Sequence, residues 1–169
     1  DESAHKSKAL AVVSPHAGYV YSGPVAGKVF SEVKLKEDYI IIGPNHTGFG
    51  KPFSIMSNGT WRLPLGDVEI DKTLAKEIIK DCSLIEEDES AHRHEHSLEV
   101  QLPFVQYFRK DIKFVPLVIQ NADMDSYQII GQAIAKTLKR LKKEVLIIAS
   151  SDMTHYEPHE HAKRKDKIA

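Results

Sequence analysis

Three apolar runs in this 169-residue chain each end in a loop that carries histidine. Ala11-Val12-Val13-Ser14-Pro15 leads to His16, and Ile40-Ile41-Ile42-Gly43-Pro44-Asn45 leads to His46. Val145-Leu146-Ile147-Ile148-Ala149-Ser150-Ser151 leads to Asp152 and His155. Neutral imidazole is the commonest metal ligand among side chains. Two histidines with a carboxylate or thiolate and open positions suit non-haem iron, and they suit copper or zinc as well. His155 is either a third ligand or a general base, since its ordinary pKa of about 6.5 fits proton transfer near neutral pH. Asp152 either orients a histidine through its second ring nitrogen or caps the following helix.

A fourth cluster, His92-Arg93-His94-Glu95-His96, lies beside the acids Glu86, Glu87, Asp88 and Glu89. That setting reads as a solvated loop for His94. His96 and Glu99 open the next element and are better site candidates. Tyr19, Tyr21 and Trp61 either line a pocket or pack, and core or rim packing is the expectation for Trp61. Tyr19 and Asn45, flanking the two histidine loops, join Glu99 as candidate pocket residues. Cys82 has Lys80 as its only nearby cation, so nothing marks it as an activated thiolate. The phosphate-binding glycine loops, the Gly-x-Ser-x-Gly elbow, the His-Glu-x-x-His helix and paired Cys-x-x-Cys are all missing from the sequence. Nucleotide cofactors, serine hydrolysis and structural zinc lose ground accordingly.

The elements that would position these residues alternate. Short β-branched runs at 8–14, 39–43 and 144–150 read as parallel strands buried on both faces. Helices are expected at 24–33, with Ser22 as N-cap, at 71–81 and at 125–141, the last with the clearest apolar stripe. Residues 53–57 and 61–65 read as strands of a hairpin turning at Asn58-Gly59. The segment 98–108 mixes apolar and polar residues. Pro116 demotes a strand at 114–119 towards an edge or a bulge. The pattern predicts an α/β protein, a three-layer sandwich with a mostly parallel central sheet and helices on both faces. Ligands of such sheets bind outside the carboxyl ends of the strands, where the histidine loops fall.

Composition narrows the function further. The chain is 41% hydrophobic and 28% charged, ordinary values for a globular domain. A formal net charge of −1 supplies no field to draw nucleic acid or an anionic membrane. No apolar stretch has the length of a membrane span, and the polar residues 1–8 lack a signal-peptide core. With one cysteine there is no internal disulfide, which suits a reducing cytoplasm. The chain lacks an initial Met and reaches its end in a charged helical pattern at 158–169, so a single domain over 1–169, short of N-terminal and C-terminal parts, is expected.

Four strings carry a family resemblance: Pro15-His16-Ala17-Gly18-Tyr19-Val20-Tyr21-Ser22-Gly23, Gly43-Pro44-Asn45-His46-Thr47-Gly48, Glu95-His96-Ser97-Leu98-Glu99-Val100-Gln101-Leu102-Pro103-Phe104 and Ser150-Ser151-Asp152-Met153-Thr154-His155-Tyr156. With Trp61-Arg62-Leu63-Pro64-Leu65-Gly66 they resemble the Memo family, whose prokaryotic members are often called AmmeMemoRadiSam system protein B. The resemblance implies a fold shared with class III extradiol dioxygenases, which open catechol rings with non-haem Fe(II). It implies that His16 and His46 bind metal and that His155 is the base-like histidine with Asp152 beside it; His96, a candidate by its place in the chain, is grouped with these two as catalytic. It implies Fe(II) or Cu as cofactor, zinc being the weaker candidate, and no nucleotide. In that family a cysteine from a later segment takes the third-ligand position, and Cys82 does not match it. Two functions follow: a metal-dependent oxidoreductase, or a non-catalytic module that binds a peptide, phosphopeptide or small ligand in the same cleft.

Overall fold

The computed structural model describes residues 6–168. Residues 1–5, most of the polar N-terminal stretch discussed above, and residue 169 lie outside the described residues. The strands are β1 (Ala11–Ser14), β2 (Asp38–Pro44), β3 (Phe53–Ile55), β4 (Thr60–Leu63), β5 (Gly66–Ile70), β6 (Glu86–Glu87), β7 (Lys113–Ile119) and β8 (Val145–Ser150). The helices are α1 (Tyr19–Glu32), α2 (Lys72–Asp81), α3 (Leu102–Phe108), α4 (Met124–Leu141) and α5 (His159–Asp166), with a 3-10 turn at Glu99–Gln101 before α3. No helix among the described residues is long and apolar enough to cross a membrane.

The strands form one mixed, mostly parallel sheet in the order β1-β8-β2-β7-β3-β6, with β5 also on β7 and β4 on β5. Side chains alternate along the central strands, and each alternate set meets a different layer of helices. Tyr39, Ile41, Phe114, Val118, Leu146 and Ile148 share a core with Phe30 of α1 and with Leu102 and Val105 of α3. Ile40, Val115, Leu117 and Val145 share another with Leu74 and Ile78 of α2 and with Ile130 and Ile134 of α4. The molecule is therefore the expected three-layer sandwich. From β1 the chain crosses the sheet one way through α1, and from β7 it returns the other way through α4. Helices on opposite faces are what right-handed crossovers demand.

The local expectations fare unevenly. Asp71 caps α2, accepting from the Leu74 amide at 3.0 Å, and Asp123 caps α4 through Ser126 at 2.8 Å. Helix α1 starts a turn earlier than expected, with Gly18 as N-cap, and Ser22 donates instead to the Ala17 carbonyl at 2.9 Å. Pro24 thus lies inside the helix, where it has no N–H to offer the Val20 carbonyl, on a turn whose Val20 is 87% exposed.

The hairpin is not at Asn58-Gly59. Strand β4 pairs antiparallel with β5 around Pro64-Leu65, and Gly66 takes φ +120°, which only glycine adopts freely. All three residues of β3 are buried, and it joins the central sheet between β7 and β6 rather than pairing with β4. Burial outweighed a good local turn signal.

Strand β7 is not an edge despite Pro116. The Lys113 amide donates to Glu37 on the β2 side, and the Phe114 carbonyl accepts from Asp71 on the β5 side. Alternation then turns the Pro116 nitrogen away from β2. On that flank β5 pairs only through Lys113 and Phe114, and β3 begins at Leu117. The missing N–H falls in the gap between two partner strands, so no ladder bond is lost.

Candidate functional site

Strands β1, β8, β2 and β7 pair in parallel, so their carboxyl ends reach one edge of the sheet. A cleft of about 460 Å³ opens there, lined by His16, His46, Asp152 and His155 together with Ile42, Ile119, Met153 and others. The loop after β6 brings His96 to the same place. Nitrogens of His16, His46 and His96 lie within 4.8 Å of one another, close enough to hold a single ion. The His46 and His96 rings stack with centroids 4.9 Å apart, and His16 meets both edge-on, at 5.2 and 5.7 Å.

Each ligand-type loop is pinned by a carboxylate from a different loop. Asp152 Oδ1 accepts from the backbone amides of His16 and Ala17, the latter at 2.8 Å. Glu95 Oε2 accepts from the His46 amide at 2.7 Å, and Oε1 accepts from the Ser97 amide at 2.8 Å. A Cβ added to Gly43 would stand 2.7 Å from Ser97 Oγ and 2.8 Å from Leu98 Cδ1. The bare glycine at the end of β2 lets the Glu95–Leu98 segment lie directly on the strand.

The tautomers follow from hydrogen-bond chemistry. Ser150 Oγ has one proton, and it points to the Ser97 carbonyl at 2.6 Å, which can only accept. Ser150 Oγ must then accept from both neighbours, Gln101 Nε2 at 2.8 Å and His16 Nδ1 at 2.9 Å. His16 therefore carries its proton on Nδ1 and keeps a bare Nε2. Gln101 Nε2 also donates to the Pro15 carbonyl at 2.9 Å and fixes the loop itself. His46 Nδ1 faces the Glu95 carboxylate at 2.9 Å, which leaves its Nε2 bare as well.

Electrostatics favour the same state. Burial lowers the His16 pKa below its ordinary 6.5; Asp152 pulls it back up, and His46 and His96 press it further down. Burial works against the Glu95 anion, yet hydrogen bonds from Ser97 and His46 hold its pKa down to about 2. A neutral imidazole and a permanent carboxylate are what a metal ligand and its outer partner require.

In the same cleft, His155 Nδ1 donates to the Met153 carbonyl at 2.9 Å, so its Nε2 is the proton-accepting nitrogen. Nε2 lies 3.3 Å from Asp152 Oδ2, which also stands 3.5 Å from His16 Nε2. Met153 and Tyr156 on either side of His155 have φ of 63° and 52°. Left-handed backbone at two non-glycine residues stores strain, a habit of functional loops.

The remaining candidates lie elsewhere. The Asn45 side chain accepts from the Thr47 and Gly48 amides at 3.1 and 2.9 Å and shapes the His46 loop from within. Tyr19 packs edge-on against Phe104 with centroids 5.6 Å apart. Its pKa is raised by burial and then by the charge of Glu99. Glu99 borders a separate depression with Trp61, Arg62 and His92. Trp61 packs on Phe114 at 5.0 Å, as a core or rim residue would. His94 is exposed, and Cys82 is buried and free. Sequence reasoning did not single out Glu95, Ser150 or Gln101 for a site role. The string Glu95-His96-Ser97 held the clue in an acid next to a site histidine, but the four acids just upstream made the loop read as solvated at His94, one residue before it.

An α/β sandwich with three histidines and two pinning carboxylates at the carboxyl edge of its sheet is the class that fold and site define. Comparison with known proteins gives the family. The model of the Memo-like protein matches residues 1–169, and the chain belongs to the Memo family. It is 45% identical to a MEMO1 family protein of Methanopyrus kandleri over 92% of this chain and 56% of the relative. It is 46% identical to one of Pyrobaculum aerophilum over 96% of this chain and 59% of the relative. A MEMO1 family protein of Caldivirga maquilingensis is 47% identical over 93% of this chain and 57% of its own length. The chain thus spans less than two thirds of the length of these relatives.

Proposed function

We propose that the cleft is a mononuclear metal centre of an oxidoreductase, with Fe(II) or Cu held by His16 Nε2 and His46 Nε2 and with His96 supplying the third nitrogen in reach. The observation that carries this reading is that one ring nitrogen from each of His16, His46 and His96 lies within 4.8 Å of the others, with Nδ1 of His16 and of His46 engaged by hydrogen bonds that leave Nε2 bare. The donor set fits a first-row ion: imidazole suits iron and copper, and each ring is held from behind at Nδ1, His16 by the Ser150 hydroxyl and His46 by the Glu95 carboxylate. The bound ion would supply Lewis acidity, or a one-electron redox couple, to an oxygen-donor substrate.

The chain's own residues do the rest. Asp152 and Glu95 orient the two histidine loops. His155 Nε2 takes a proton from a substrate hydroxyl in the cleft, and Asp152 Oδ2, 3.3 Å away, stabilises the resulting imidazolium. The apolar side chains of Ile42, Ile119 and Met153 in the lining fit the body of a small organic substrate. A cytoplasmic setting keeps Fe(II) and the lone Cys82 reduced.

Anaerobic titration with Fe(II), followed by oxygen uptake in the presence of a catechol or another small reductant, tests the proposal. Metal uptake by the wild type and its loss in both His16→Ala and His46→Ala are expected, with oxygen consumed only when metal is bound. Equal metal content in all three proteins would sink the metal centre. Tight binding of a peptide or phosphopeptide in the cleft without metal or turnover would establish the binding module instead.

A further inference from the structure

We infer that Glu95 is the positioning residue of the histidine centre, its one carboxylate fixing which nitrogen His46 presents to the ion. The inference deepens the metal-centre reading above and rests on it.

The Glu95 side chain is 1% exposed and meets both histidines. Oε2 takes the His46 amide at 2.7 Å, and Oε1 takes His46 Nδ1 at 2.9 Å. Oε1 also stands 3.6 Å from His96 Nδ1. A carboxylate that served only the loop would need the backbone bonds to His46 and Ser97 and nothing more. The bond to the His46 ring goes further, because it decides a tautomer. With an acceptor at Nδ1, the His46 proton belongs there and Nε2 keeps its lone pair. The buried anion also increases the electron density on the ring, which strengthens it as a ligand. Among the described residues, no other carboxylate lies within 4 Å of the ring nitrogens of His46 and His96 together.

Glutamine cannot take over. Its amide keeps the shape but sets an N–H pair either against the His46 amide or against the Ser97 amide and His46 Nδ1 together. If the N–H pair faces Nδ1, His46 must move its proton to Nε2 and close the position meant for metal.

Long-range proton–nitrogen NMR of the metal-free protein at alkaline pH, together with Co(II) titration, tests this. Wild-type His46 is expected in the Nδ1–H form, and the Nε2–H form would overturn the inference with no variant needed. Glu95→Gln is expected to shift His46 towards Nε2–H and to weaken Co(II) binding roughly 10–100-fold. An unchanged tautomer with unchanged affinity overturns the inference. A wild type that takes up no Co(II) overturns the metal reading alone, and the tautomer of His46 then decides the part played by Glu95.

Discussion

Ser150→Ala probes the network behind His16 and needs no metal to do so. The Ser150 hydroxyl donates to the Ser97 carbonyl at 2.6 Å and accepts from His16 Nδ1 at 2.9 Å and Gln101 Nε2 at 2.8 Å. Removing it strands two buried groups, the His16 Nδ1–H and the Ser97 carbonyl. Gln101 Nε2 keeps the Pro15 carbonyl at 2.9 Å and loses less. A buried donor or acceptor left without a partner costs about 1–3 kcal/mol. The variant should therefore lose roughly 2–6 kcal/mol. For a domain of this size each kcal/mol moves Tm by about 2–4 °C, so a fall of roughly 4–24 °C is expected in calorimetry. The same variant should release the His16 tautomer, because nothing then requires its proton on Nδ1. Nitrogen NMR of the metal-free protein reads that directly. A loss below about 0.5 kcal/mol, the usual range for a bland surface change, with His16 still fixed in the Nδ1–H form, would refute the reasoning.

Gly43→Ala forces a Cβ to within 2.7 Å of Ser97 Oγ and 2.8 Å of Leu98 Cδ1. It should cost about 1–3 kcal/mol in urea denaturation and weaken Co(II) binding by displacing His96, and a neutral result in both assays would contradict the close packing described. His92 is buried, and burial lowers its pKa from 6.5 to about 4. The unfolded chain therefore binds the proton first as pH falls. The stability tied to neutral His92 is complete above the unfolded value and is lost as pH drops through about 4, a span worth roughly 3 kcal/mol. His92→Phe should flatten the stability profile across that window, and an unchanged acid sensitivity would place its origin in other groups.

The fold was legible wherever burial on two faces left its mark. Runs such as Ile40-Ile41-Ile42 and Leu146-Ile147-Ile148 have no polar face, so only a sandwiched parallel strand accommodates them, and the histidine loops had to gather at one edge. Asn58-Gly59 and Pro116 misled because their local preferences were sound but the partners that overrode them are remote. Strand β3 chose β7, and the Pro116 ring fell in a gap that only the pairing of three strands creates. The same holds at the site. His16, His46 and Asp152 announce themselves by following apolar runs. Ser150, Gln101 and Glu95 gain their parts only through contacts across the fold, with His16 for the first, the loop of residues 14–15 for the second and the His46 ring for the third. Local sequence carries no trace of such pairings beyond residue type. The third nitrogen is instructive too: the resemblance placed the third ligand in a later cysteine, whereas the folded chain brings His96 within reach.

The central claim is that His16 and His46 present bare Nε2 atoms to one metal ion at the carboxyl edge of the sheet. The most direct test is an anomalous difference map from crystals of this chain grown or soaked with Fe(II) under anaerobic conditions. The account predicts one strong peak in the cleft, with His16 Nε2 and His46 Nε2 at about 2.0–2.2 Å if imidazole distances known for zinc carry over. A map with no peak there, or with metal bound through the Nδ1 atoms or at another histidine cluster, would contradict it.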